Sequence, residues 1–206
     1  MKNLATMLKP LAMSIALLAI FTAAQSIAFA DTVSFSTLGC FGAGCTPSIT
    51  STAFGSGNAT VVFTNQAATT VNTSTPSGFT AADLGTFTVG GTGTFAATPF
   101  VLQINQIVPS VGTGTFTATL TGTLITNGSD ARVVFDQTSI FIGNVRYDLA
   151  NLTFGNTLFL DPNATGGITR ITALVSSPVP EPATMILLGT GLAGVAASIR
   201  KRRKAA

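Results

Sequence analysis

The stretch Gly112–Ile125, "GTGTFTATLTGTLI", decides the fold class. Phe116, Ala118, Leu120, Gly122 and Leu124 share one parity, and Thr115, Thr117, Thr119, Thr121 and Thr123 share the other. Successive side chains of a strand point to opposite faces, so this alternation buries one face and wets the other. Threonine suits the wet face because its branched side chain favours the pleat. The reading is a half-buried antiparallel strand.

Working outward, further strands are expected at Val33–Leu38, Ala59–Thr64, Leu84–Val89, Phe100–Ile107, Ala131–Asp136, Ser139–Ile142, Val145–Phe154, Thr157–Leu160 and Ile168–Val175. Turn signals separate them: Thr75-Pro76-Ser77-Gly78, Asn127-Gly128, Gly143-Asn144, Gly155-Asn156 and Asp161-Pro162-Asn163. Asn127-Gly128 between apolar runs is a hairpin signal. Within Val145–Leu149, Val145, Tyr147 and Leu149 should face inward, with Arg146 and Asp148 outward. No helical period appears in this body. Short strands with regular turn punctuation predict an all-β domain over residues 31–176, an antiparallel β-sandwich or jelly roll. The octet at Gly91–Thr98 recurs in similar form at Gly112–Thr119, too short and single to mark a solenoid.

The chain has 206 residues and a formal net charge of +3, but its basic residues sit mostly at the ends. Between residues 31 and 178 only Arg132, Arg146 and Arg170 stand against six aspartates, a net of −3. With no basic stripe in the body, nucleic acid is not an expected partner. The body also lacks His, Lys and Glu, which removes Ser-His-Asp chemistry and a lysine base. Asp130, Asp136, Asp148 and Asp161 remain as candidate acids. A glycosidase needs two carboxylates at a defined separation, whereas aspartates in turns usually hydrogen-bond their own backbone. No catalytic residue is assigned and no enzyme activity is expected.

Cys40 and Cys45 are the only cysteines. If the chain is exported, they fit a disulfide closing a small ring, since a zinc site needs more ligands and the chain has no histidine. Asp161–Gly167, "DPNATGG", offers oxygen ligands for calcium but only part of the six to eight required. A turn is the plainer reading, and no metal or cofactor is expected. The triplets beginning at Asn58, Asn72, Asn127, Asn151 and Asn163 match the glycosylation acceptor, a match that arises by chance in so threonine-rich a chain. Carbohydrate binding commonly uses exposed aromatic platforms, and this chain has no Trp and a single Tyr, Tyr147. A lectin-like role would need exposed Phe or Tyr beside Asn and Asp.

The two ends read as addresses. Residues 1–30 carry Lys2 and Lys9, an apolar run Leu11–Ala24, and small residues Ala28 and Ala30 at the −3 and −1 positions. This pattern is a secretory signal peptide, cleaved between Ala30 and Asp31. Residues 177–206 hold Pro180-Glu181-Pro182, an uncharged run Ala183–Ile199 and the basic cluster Arg200, Lys201, Arg202, Arg203 and Lys204. As a helix that run is about 25 Å long, close to the hydrocarbon core of a bilayer. The basic cluster should stay cytoplasmic and leave the body outside. Two prolines hold the preceding backbone extended, which suits a processing enzyme or simply ends the domain before an ordinary anchor. Expected, then, are an N-terminal signal helix and a C-terminal transmembrane helix flanking the β domain.

The order Val179-Pro180-Glu181-Pro182, apolar run, Arg200–Lys204 resembles the PEP-CTERM sorting signal. That resemblance implies export by a Gram-negative bacterium, passage through the inner membrane, and recognition by exosortase near the Pro-Glu-Pro. Val179, Pro180, Glu181 and Pro182 would be the recognition motif and Arg200–Lys204 the retention patch. It also implies association with exopolysaccharide and biofilm. The body, through "LGTFTVGGTGTF", "PFVLQINQIVPS", "GTFTATLTGTL" and "VVFDQ", is similar to choice-of-anchor extracellular β modules, a resemblance that carries no catalytic residues. The expected function is a structural cell-surface or matrix protein. A carbohydrate-binding module is the alternative, and an Asp-dependent hydrolase a third.

Overall fold

Register in this chain is fixed by alternation. The buried residues of β7 (Gly112–Ile125) are Phe116, Ala118, Leu120 and Leu124, with the threonines between them turned outward. In the computed structural model, which describes residues 32–48, 52–73, 75, 77–125, 128–160, 166–177, 189–191 and 194, this strand is central to one of two antiparallel sheets. The first sheet comprises β1 (Thr32–Phe41), β4 (Thr69–Asn72), β6 (Gly93–Val108), β7, β8 (Gly128–Ser129), β9 (Arg132–Phe135) and β12 (Thr157–Phe159). Its order is β12-β9-β7-β6-β1-β4, with the short β8 beside β7. The second comprises β2 (Thr52–Ser56), β3 (Ala59–Asn65), β5 (Thr80–Gly90), β10 (Ser139–Ile142), β11 (Val145–Ala150) and β13 (Ile168–Ser176), in the order β10-β11-β13-β5-β3-β2. The sandwich or jelly-roll expectation is met at the level of two curled antiparallel sheets packed face to face.

One hydrophobic cluster joins both inner faces. Phe63 of β3 lies 5.2 Å from Phe100 of β6, and Phe35 of β1 lies 5.7 Å from Tyr147 of β11, ring centre to ring centre across the sheets. Phe63 needs glycine on both sides. A Cβ at Gly39 would fall 2.3 Å from Phe63 Cδ1, and one at Gly85 would fall 2.6 Å from its Cζ. Gly85 also has φ 135°, at the bulge where β5 shifts register against β13.

Several expected boundaries move for physical reasons. β6 begins at Gly93, not Phe100, because Pro99 is accommodated just after a register shift against β7 and just outside the pairing with β1. β11 stops at Ala150, short of Phe154, because Asn151 has φ 53° and leaves the sheet. β2, β4 and β8 were not anticipated. Edge strands are short, from three residues in β12 to five in β2, which limits the backbone open to another chain.

Residues 30–178 make one compact unit. The expected signal helix lies outside the described residues. So does the expected transmembrane helix, except for Gly189, Thr190, Gly191 and Gly194, which are helical. Among the described residues no helix is long and apolar enough to cross a membrane.

Candidate functional site

The pairings give the sandwich two distinct ends. At one, the chain leaves β13 at Ser176 and Ser177. Ser176 pairs with Arg146, next to the turn Gly143-Asn144, and Thr80 at the start of β5 pairs with Val175. The tip of the β6–β7 hairpin, residues 109–111, lies at the same end. A Cβ on Gly143 would meet Ser110 Oγ at 2.8 Å, and one on Gly112 would meet Ile142 Cγ2 at 2.7 Å. This is the exit end. The far end carries the hairpin Ser56–Ala59, the turn after Gly90 and the Cys40–Cys45 loop.

A buried polar joint holds the exit end together. Gln106 is 1 % exposed. Its Nε2 donates to the Ser110 carbonyl at 2.9 Å and to the Ile142 carbonyl at 3.3 Å. Its Oε1 accepts from the Tyr147 hydroxyl at 2.9 Å. Both Gln106 amide atoms are thus satisfied between the sheets, as a buried amide requires. Burial raises the Tyr147 phenol above its ordinary pKa, because ionisation would strand a charge away from water.

Outside this joint is a shallow cleft of about 350 Å³ lined by Gly78, Phe141, Asn144, Arg146, Ser176 and Ser177. Ile140 and Ile142 point inward, so Phe141 points out and is 66 % exposed. The Arg146 guanidinium sits 5.8 Å from the centre of that ring and pairs with Asp148 at 2.8 Å. Arg146 Nε also donates to Ser139 Oγ at 3.2 Å. Alternation could have revealed this site, since an aromatic at the outward position of "SIFIGNVRYD" is the anomaly.

The residues anticipated from sequence are dispersed. Cys40 and Cys45 are joined by a disulfide with Cα atoms 6.0 Å apart. Asp130 accepts from the Thr123 backbone amide, and Asp136 accepts from Thr117 Oγ1 at 2.6 Å, at opposite ends of β9. Asp148 is tied to Arg146, and Asp83 to Arg170 at 2.8 Å. None of these described aspartates lines the exit-end cleft, and among the described residues no group of three or more His, Cys, Asp or Glu could hold a metal ion. Asp161 and most of the Asp161–Gly167 loop lie outside the described residues. So do Ala28, Ala30, Asp31, Val179, Pro180, Glu181, Pro182 and Arg200–Lys204.

What the fold and its side chains define is a two-sheet β domain whose described aspartates are bound to their own neighbours. The tail supplies the rest: the family model of the PEP-CTERM protein-sorting motif matches residues 178–203. The chain carries that motif, which implies an exported protein, anchored in the membrane as a precursor and sorted by exosortase. No curated protein and no solved structure matches the chain.

Proposed function

We propose that this chain is a non-enzymatic structural protein of the cell surface or extracellular matrix of a Gram-negative bacterium, associated with exopolysaccharide or biofilm. Exosortase is its processing partner, and the inner membrane holds it transiently through Ala183–Ile199. The sorting motif at residues 178–203 carries the reading. The body adds support: each described aspartate stabilises local structure, where a general acid or base would need to be poised toward a substrate. Replacing Pro180 and Pro182 by alanine tests it. Wild-type chain should be recovered shortened from the surface or medium, and the variant should accumulate at full precursor length in the inner membrane. Equal processing of both would contradict the role given to Pro-Glu-Pro.

A second reading, a carbohydrate-binding module, draws on the exposed Phe141 with Asn144, Arg146 and Asp148 around it. An aromatic face beside hydrogen-bonding side chains is the usual chemistry of sugar recognition. Retention on the cell's own exopolysaccharide should then fall when Phe141→Ala is introduced. Unchanged retention would leave the structural reading alone.

A further inference from the structure

Five of the nine large apolar side chains exposed among the described residues gather at the exit end, while Ile125, Phe154, Phe159 and Ile168 lie elsewhere. Val111 is 88 % exposed, Phe141 66 %, Ile107 49 %, Phe79 44 % and Val108 39 %. These side chains come from three separate segments that the pairings bring to one end of the sandwich. Exposed apolar side chains gathered in this way mark a contact surface, since scattered ones would need no explanation. The Gln106 joint fixes the hairpin that carries Ile107, Val108 and Val111, so their exposure is built into the fold.

We infer that this end of the sandwich docks into the lipid interface of the membrane that anchors the precursor. The inference rests on the reading of Ala183–Ile199 as a membrane span. The length of chain between them commits the surface to that occupant. From Ser177 at the exit end to Ala183 there are only five intervening residues, Pro178–Pro182. Even fully extended they reach no more than about 20 Å. The end from which the tether leaves is therefore the end held against the bilayer, and it is the end with the apolar tip. Side chains of this kind insert about 5–10 Å at the headgroup–acyl boundary. Arg146, beside Phe141, is already neutralised by Asp148, so the apolar side chains carry the contact.

The chain has no tryptophan, so a single introduced one is a clean reporter. Val111→Trp places it at the apolar tip. Ile125→Trp places it at the far end of β7, the strand that starts just after Val111, also on an exposed residue, roughly 40 Å away. Full precursor carrying either reporter is reconstituted into phosphatidylethanolamine–phosphatidylglycerol vesicles with brominated acyl chains, and vesicle flotation is measured alongside fluorescence. The expected result is co-flotation of both, with Val111→Trp blue-shifted and losing most of its emission to bromine while Ile125→Trp keeps its own. Phe141→Trp should behave as Val111→Trp does. Co-flotation with an unquenched, unshifted Val111→Trp overturns docking while leaving the anchor intact. A blue shift without quenching would mean that a second copy covers the face, and it also overturns the inference. Equal quenching of both reporters overturns the orientation. Failure to co-float removes the anchoring reading and the docking with it.

Discussion

At the far end of the sandwich Phe41, Phe54, Phe63, Phe87, Phe95 and Phe100 meet ring to ring, with centroid separations between 4.9 and 6.3 Å. At the exit end the space between the sheets is bridged by an amide and a phenol. The aromatic end is dry and non-directional, so its stability scales with apolar area and shape fit. The exit end is directional: Gln106 fixes one hairpin against another through named carbonyls, and apolar side chains are left outside. One end is built to hold the sheets together. The other is built to hold a surface in position.

That contrast can be broken most forcefully at Phe63. Phe63→Ala should lower unfolding free energy by about 3–5 kcal/mol in urea titration, because a wholly buried ring leaves a cavity. Gly39→Ala should destabilise by about 1–3 kcal/mol through overpacking. In the Phe63→Ala background the same change should be nearly neutral, since the atoms it strikes are gone. A full penalty there would show that Gly39 is required for its backbone and not for the ring.

Gln106→Leu tests the other end. It strands the Tyr147 hydroxyl and the Ile142 carbonyl, while the exposed Ser110 can offer its carbonyl to water. Two dry groups at ~1–3 kcal/mol each give an expected loss of about 2–6 kcal/mol. A neutral effect would mean that water enters and the joint is not dry. Reducing or removing the Cys40–Cys45 bond should lower stability by about 2 kcal/mol, the modest value for so short a ring, read as a lower denaturation midpoint.

Alkaline titration gives a smaller effect. Folding raises the Tyr147 pKa, so the folded state holds its proton more tightly than the unfolded one. The resulting stability is fully present below the unfolded value of about 10 and is lost as pH rises through the higher folded value. Melting temperature should therefore decline above about pH 10 in the wild type. In Tyr147→Phe that slope should flatten, with its baseline lowered by about 1 kcal/mol for the lost hydrogen bond. The smallest change belongs to the outer-face ion pairs. Arg170→Met should shift stability by less than about 1 kcal/mol, because the Arg170–Asp83 pair is largely exposed.

The two ends also differ in how far sequence could foretell them. The inward residues of β7 and of Val145–Leu149 follow from parity alone, and the turn at Gly143-Asn144 lies where the dipeptide put it. β2 escaped because "TAFGS" is short and interrupted by Gly55, although Gly57-Asn58 beside it is a hairpin turn with Gly57 at φ 63°. β4 escaped because "TTVN" offers only one apolar residue. Gln106 could not be foretold, since its inward parity reads as an error until Tyr147 and the Ile142 carbonyl arrive from residues far along the chain. Phe141 was within reach, as an aromatic out of phase with its strand. The tail is the reverse case: its motif is fully local, so residues 178–203 are legible without any tertiary contact.

The processing of both ends is read most directly from the intact mass of the protein recovered from the native cell surface and medium. If both ends are removable addresses, the recovered chain begins at Asp31 and ends near Pro180–Pro182, two hydrogens lighter than its reduced form for the Cys40–Cys45 bond. A chain still ending at Ala206 would contradict that reading and make the tail a plain membrane anchor.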